Sequence, residues 1–106
     1  MVNPGEIHLC DFGSPIGHEA GFRRPAVVVS PSLLNRHGVV LVTPVTRTRR
    51  GYPTHVELDA VLPVTSYAQC ELLRSVPPER FVRHVGDADE VHLTQIRLVL
   101  RRLLGL

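Results

Sequence analysis

The sequence predicts a mainly β domain closed by one C-terminal helix, a small barrel or strongly curled sheet of five to six short strands. Three observations carry this. Short stretches ahead of Asp87 either alternate apolar with polar residues or run as β-branched blocks, the patterns of half-buried and central strands. Eight Gly and nine Pro break the chain at close intervals, as many short turns require. Past Asp87 the apolar period lengthens to that of an α-helix.

From the amino terminus, Glu6 to Phe12 alternates Ile7 and Leu9 with Glu6 and His8 and is a half-buried strand. Gly13 to Gly21 is a long loop. Pro25 to Ser30, rich in valine, is a central strand. Pro31 to Gly38 turns the chain into the strand Val39 to Val45, with Pro44 near its end, where a missing amide matters least. Thr46 to Pro53 is a loop carrying Arg47, Arg49 and Arg50. Thr54 to Leu58 and Ser66 to Leu73 are further strands, Val76 to Arg80 a short helical turn, and Phe81 to Val85 the final strand. Asp87 and Glu90 have the spacing of a capping box. Leu93, Ile96, Leu100 and Leu103 then share one helical face, Val99 and Leu104 widen it, and Gly105 ends the helix.

At 106 residues, 43% hydrophobic and 21% charged, the chain is sized for one domain, 1–106, with little material for a deep enclosed pocket. Its longest apolar runs, Ala26 to Val29 and Val39 to Val42, fall far short of the roughly 20 residues of a spanning helix. No basic segment followed by an apolar one opens the chain, so a cytoplasmic location and no membrane partner are expected. Cys10 and Cys70 lie in apolar, strand-like surroundings and are expected to be reduced, buried thiols. The His and Cys residues show no CxxC or HExxH spacing, and His8 with Cys10 gives only two ligands. No glycine-rich phosphate loop occurs either. Neither a metal nor a cofactor is expected.

The cationic residues are unusual: all twelve are Arg, and there is no Lys. Arg binds phosphate through a planar fork, which brings nucleic acid into view, although GC-rich codon usage produces the same bias. The net charge of +2 argues against a histone-like coat of charge.

Three stretches together resemble the MazF/PemK family of toxin endoribonucleases. Gly17-His18-Glu19-Ala20-Gly21-Phe22-Arg23-Arg24-Pro25-Ala26-Val27-Val28-Val29 is similar to the family's G-S-E-x(4)-R-P-[AV]-[VL]-V segment. Val42-Thr43-Pro44-Val45-Thr46, followed by Gly51-Tyr52-Pro53-Thr54-His55-Val56, is similar to its V-P-x-T and Y-P-x-x-V elements. Glu71-Leu72-Leu73-Arg74-Ser75-Val76 with Arg80-Phe81 resembles its Q-[IV]-[RK]-[ST]-[IV] and the R-[LF] that follows. Pro4-Gly5-Glu6-Ile7 and Gly86 add to a match that runs in order along nearly the whole chain.

The resemblance implies an SH3-like barrel of the MazF/Kid/CcdB type, a two-fold homodimer, metal-free cleavage of single-stranded RNA, and neutralisation by a cognate antitoxin. The RNA is mRNA, with tRNA and rRNA as further candidates. It places the family's catalytic Arg on Arg24, its catalytic Thr on Thr46 and its loop Glu on Glu19. In such a reaction the ribose 2′-OH attacks phosphorus, leaving a 2′,3′-cyclic phosphate and a 5′-OH. A guanidinium aimed at the phosphoryl oxygens stabilises the developing charge, and a threonine hydroxyl can bond the same group. A guanidinium is a poor base at neutral pH, so Glu19 or His18 is the candidate for proton abstraction. His18 replaces the family's usual Ser, and an imidazole suits that task, although an exposed loop histidine is ordinarily just solvated. Arg23, Arg47, Arg49 and Arg50 are the candidate RNA contacts. Leu72 stands where the family often has Gln, which removes one polar contact from any inherited base preference.

Two other functions fit the same barrel. CcdB-like relatives poison DNA gyrase by binding, but they depend on an aromatic residue near the carboxyl terminus, and Gly105-Leu106 offers none. A catalytically inactive relative that binds RNA or antitoxin is the other.

Overall fold

Valine and isoleucine, stiff at χ1 and suited to a pleated surface, fill the centre of the sheet and set its order. The computed structural model of the chain describes residues 2–106. Seven strands form it: β1 (Glu6–Asp11), β2 (Arg23–Val28), β3 (Val40–Thr46), β4 (His55–Leu58), β5 (Ser66–Gln69), β6 (Arg74–Val76) and β7 (Phe81–Asp87). A short helix, α1 (Ser32–Arg36), links β2 to β3, and a long one, α2 (Glu90–Leu103), ends the chain. The strands are ordered β4-β5-β3-β2-β1-β7, with β6 also paired to β3 and every pairing antiparallel. The fold is therefore the mainly β, barrel-like sheet with a C-terminal helix that the sequence predicts.

The path does not close through a β4–β7 ladder. The segment after β4 spans that gap instead, and a Cβ on Gly86 of β7 would stand 3.1 Å from Leu62. On the other side of β1, Gly5 (φ +93) makes the turn into the strand. Its amide donates to Val28 and its carbonyl accepts from Ala88, joining three segments where a side chain would crowd the Ala88 carbonyl at 3.2 Å.

The core has two parts. Ile7, Val27, Val45, Leu58 and Ala68 pack with Ile96 and Leu100 of α2, while Cys10, Phe12, Ala26, Val28, Val40, Val42 and Val76 form the second cluster. Each cysteine belongs to one of them. Burial pushes both thiols up to about 12, with the Glu71 charge a second cause at Cys70.

Several boundaries differ from the sequence reading: Thr46, read as the start of a loop, is the last residue of β3, and β2 ends at Val28 rather than Ser30. β2 begins at Arg23, so both Arg23 and Arg24 lie in the ladder, opposite Asp11 and Cys10. Pro31 to Gly38 contains helix α1, braced by buried Asn35, whose amide nitrogen donates to the carbonyls of Val2 (3.0 Å) and Ser30 (3.1 Å). The expected strand Ser66 to Leu73 stops at Gln69, and a 3-10 turn at Cys70–Leu72 separates it from β6. The reason lies in β3, which pairs with β6 through Val40–Val42 and with β5 through Val45–Thr46. The turn steps over Thr43 and Pro44, and the proline falls where that side of β3 has no ladder partner. Finally, β7 runs on to Asp87, so the helix cap moves to Asp89, whose Oδ1 accepts from the His92 amide at 2.9 Å.

Candidate active site

Where the β1–β2 hairpin meets the end of β3, the curl of the sheet leaves an open cleft of about 610 Å³. Four guanidinium side chains line it: Arg23 and Arg24 from β2, Arg47 just past β3, and Arg83 from β7. Thr46 and Ser66 supply hydroxyls, and Leu9, Val45, Leu62 and Val85 an apolar floor. No carboxylate lines it. Such a surface attracts an anion and can direct several forked donors at it.

Each arginine is held differently. Arg24 is half-buried, and its Nη1 donates to Gln69 Oε1 at 3.3 Å, which anchors one edge of the fork. Gln69 is 7% exposed, so this partner is part of the sheet interior. Arg23 is exposed, with its Nε 3.9 Å from Asp11 Oδ2, too open a pair to hold it rigidly. Arg47 and Arg83 are exposed. Thr46 Oγ1 accepts from the Thr48 amide at 3.2 Å, which fixes the hydroxyl oxygen and leaves its proton able to donate.

Of the residues singled out in the sequence, Arg23, Arg24, Thr46 and Arg47 thus come together on one cleft. Arg49 and Arg50 are exposed beyond it, on the same loop. Glu19 and His18 are exposed on the 13–21 loop and do not line the cleft. Glu19 Oε1 accepts from the Ile16 amide at 2.7 Å, closing a turn within that loop. The loop rejoins the sheet through Phe22 (φ +58), whose amide donates to Gly13 and whose carbonyl accepts from Phe12. Phe22 is 67% exposed beside Arg23.

Sequence reasoning missed Gln69 and Arg83. Arg83 was legible only as a residue of the last strand, since its place in the cleft depends on the pairing of Leu9 with Arg83 in the β1–β7 ladder. Gln69 carried no signal of its own. It also stands opposite His55 in the β4–β5 ladder. There His55 Nε2 donates to Glu71 Oε2 at 2.8 Å and Thr54 Oγ1 donates to Glu71 Oε1 at 2.9 Å. Burial raises the Glu71 carboxyl, but the bonds from His55 and Thr54 outweigh it and hold the group below its ordinary value.

The small curled sheet thus carries an arginine-lined cleft that is open to solvent and suited to an anion. The family model of the PemK-like, MazF-like toxins of type II toxin–antitoxin systems matches residues 3–104, and the chain belongs to that family. It is 37% identical to endoribonuclease MazF9 of Mycobacterium tuberculosis, across all of this chain and 98% of the relative. Its fold superposes on MazF from Deinococcus radiodurans with a TM-score of 0.89 at 33% identity, covering 99% of this chain and 97% of the other. A mycobacterial endoribonuclease solved in complex with its cognate antitoxin matches with a TM-score of 0.85 at 25% identity, over 100% and 97% of the two chains.

Proposed function

We propose that this chain is an endoribonuclease toxin that cuts single-stranded RNA at the cleft of Arg24 and Thr46. The observation that carries the reading is four guanidinium groups on one open cleft without a carboxylate. An open cleft of this kind accommodates a chain of any length.

In this reading the ribose 2′-OH attacks the adjacent phosphorus, the bond to the 5′ oxygen breaks, and a 2′,3′-cyclic phosphate and a 5′-OH result. Arg24 and Thr46 donate to the phosphoryl oxygens as charge builds on them. Arg24 is also the proton donor to the leaving oxygen. Glu19 or His18, both outside the cleft on the exposed loop before Arg23 and Arg24, takes the 2′-OH proton once RNA draws that loop inward and the Glu19 carboxylate gives up its bond to the Ile16 amide. Arg23, Arg47, Arg49 and Arg50 hold flanking phosphates. The chemistry needs no metal because guanidinium donors neutralise the charge a cation otherwise would.

The chain acts as a cytoplasmic homodimer and is silenced by a cognate antitoxin, the last supported by the antitoxin complex of its mycobacterial relative. No helix among the described residues is long and apolar enough to cross a membrane. An apolar groove of about 390 Å³ along α2, with Leu104 (59% exposed) and Leu106 (81% exposed) on its wall, supports assembly with another chain.

The test is incubation of the purified chain with a long RNA in EDTA, followed by sequencing of 5′-OH ends. Discrete cuts that vanish in Arg24→Ala are expected. An intact RNA, or cleavage retained by Arg24→Ala, overturns the proposal, and RNA binding without cutting identifies an inactive relative.

A further inference from the structure

Away from the cleft, the β1–β7 ladder gathers ligating side chains that lie far apart in sequence. Glu6 and His8 stand on β1, and pairing puts His8 directly opposite His84 of β7. The two imidazoles stack, with 4.8 Å between centroids and 17° between planes. Glu6 Oε1 lies 2.8 Å from His8 Nε2. One ligating atom from each of Glu6, His8 and His84 falls within 4.8 Å of the other two. Asp87 extends the group, its Oδ1 2.9 Å from His84 Nε2.

We propose that Glu6, His8 and His84 form a binding site for a divalent transition metal of the zinc, nickel or copper class, with Asp87 available as a fourth ligand. Two imidazoles and a carboxylate are the donor set such borderline ions select, whereas calcium and magnesium need more oxygens.

The frame for these ligands is already in place. His8 is 11% exposed and its ring lies 5.2 Å from that of Phe81, so it cannot swing away. Asn3 Nδ2 donates to Glu6 Oε2 at 3.2 Å, which turns the other oxygen toward His8. Outer partners of this kind orient ligands in metal sites. His84 is 47% exposed and supplies the freedom to close on an ion. Ligands about 2.0–2.2 Å from zinc lie about 3.5 Å apart in a tetrahedron, so His84 must turn out of its stack on His8 and exchange the bonds of its Nε2 to the Gly86 carbonyl and Asp87 for the ion. Without metal, His8 Nε2 donates its proton to Glu6. A bound ion replaces that proton, so binding releases protons and weakens as pH falls.

None of these four residues lines the cleft. Side chains alternate along both strands, so Leu9 and Arg83 face the cleft while their neighbours His8 and His84 face away. The site is separate from the proposed chemistry, and a chelator that empties it leaves cleavage intact. The site departs from the sequence expectation of no metal, because metal-ligand motifs are read within one segment and these ligands come from two.

Calorimetric titration of the untagged, EDTA-stripped chain with zinc chloride near neutral pH tests the proposal. We expect one zinc per chain and a higher thermal midpoint. His84→Asn and Glu6→Gln should each weaken binding by at least about tenfold, and His92→Asn, on α2, should leave it unchanged. His84 is exposed, so its variant retains the fold, which circular dichroism verifies. Cobalt substitution should give a visible absorption band that His84→Asn removes. Absence of binding at millimolar zinc, or binding that survives His84→Asn and is lost in His18→Asn or His37→Asn, overturns the site.

Discussion

Arg24 Nη1 donates to Gln69 Oε1 across 3.3 Å, a bond between residues 45 positions apart that ties β2 to the end of β5. It holds the guanidinium by one edge and leaves the remaining donors toward the cleft. Removing the donor set should therefore cost more than removing its anchor. Arg24→Ala should lower the cleavage rate by about 10²–10³, the usual loss for one charge-stabilising donor. Gln69→Leu should lower it by roughly tenfold, mostly in kcat, because the charge remains but its aim is lost. Single-turnover cleavage of a fluorescent RNA measures both. A Gln69→Leu enzyme with unchanged kcat and raised KM would show that the bond serves binding instead.

Arg83 of β7 completes the arginine set lining the cleft, and it is exposed. Its expected role is electrostatic contact with a flanking phosphate. Arg83→Ala should weaken RNA binding and reduce the slope of log affinity against log salt by about 1. Cut-site preference should stay the same, since a phosphate contact carries no base information. A binding isotherm repeated at several salt concentrations decides it.

How much of this was legible in the sequence depends on the distance over which each feature is determined. The alternation of Ile7 with His8, the valine block of β2 and the Leu93–Ile96–Leu100 stripe are local patterns, and each is found where the pattern puts it. The break at Cys70–Leu72 is not local, because it follows from β3 exchanging one partner for another across Thr43 and Pro44. The same holds for the cleft. Arg24 and Thr46 were reached through a family pattern that encodes the fold, whereas Gln69 and Arg83 join them only through ladder register. The His8–His84 stack was invisible for the same reason.

Thr43 offers a prediction about stability. It is completely buried in β3, and its Oγ1 has no hydrogen-bond partner. A buried hydroxyl without a partner costs about 1–3 kcal/mol of desolvation, while a methyl of nearly the same shape costs none. Thr43→Val should raise the unfolding free energy by about 1 kcal/mol or more, with an unchanged denaturant slope. Urea unfolding followed by circular dichroism is the measurement. A destabilised Thr43→Val would mean that the hydroxyl is bonded after all.

The bonds to Glu71 set the acid limit. Burial opposes the charge on its carboxylate, but donation from His55 and Thr54 prevails and holds its pKa below the ordinary 4.5. A carboxyl whose pKa falls on folding contributes stability above its unfolded value and loses that contribution as pH drops through the folded one. The chain should therefore lose stability between about pH 5 and pH 3, and Glu71→Gln should flatten this part of the profile. At neutral pH the variant should be less stable than the parent, because glutamine offers one acceptor oxygen to two donors. His55 shapes the outcome as well. With Nε2 donating to Glu71, its buried Nδ1 is left without a partner, so the ring relies on Glu71 for its only hydrogen bond. Urea midpoints across this pH range for parent and Glu71→Gln provide the comparison. Parallel profiles would place the acid sensitivity elsewhere, on Glu6, whose carboxyl is likewise raised by burial yet held low overall by His8 and Asn3.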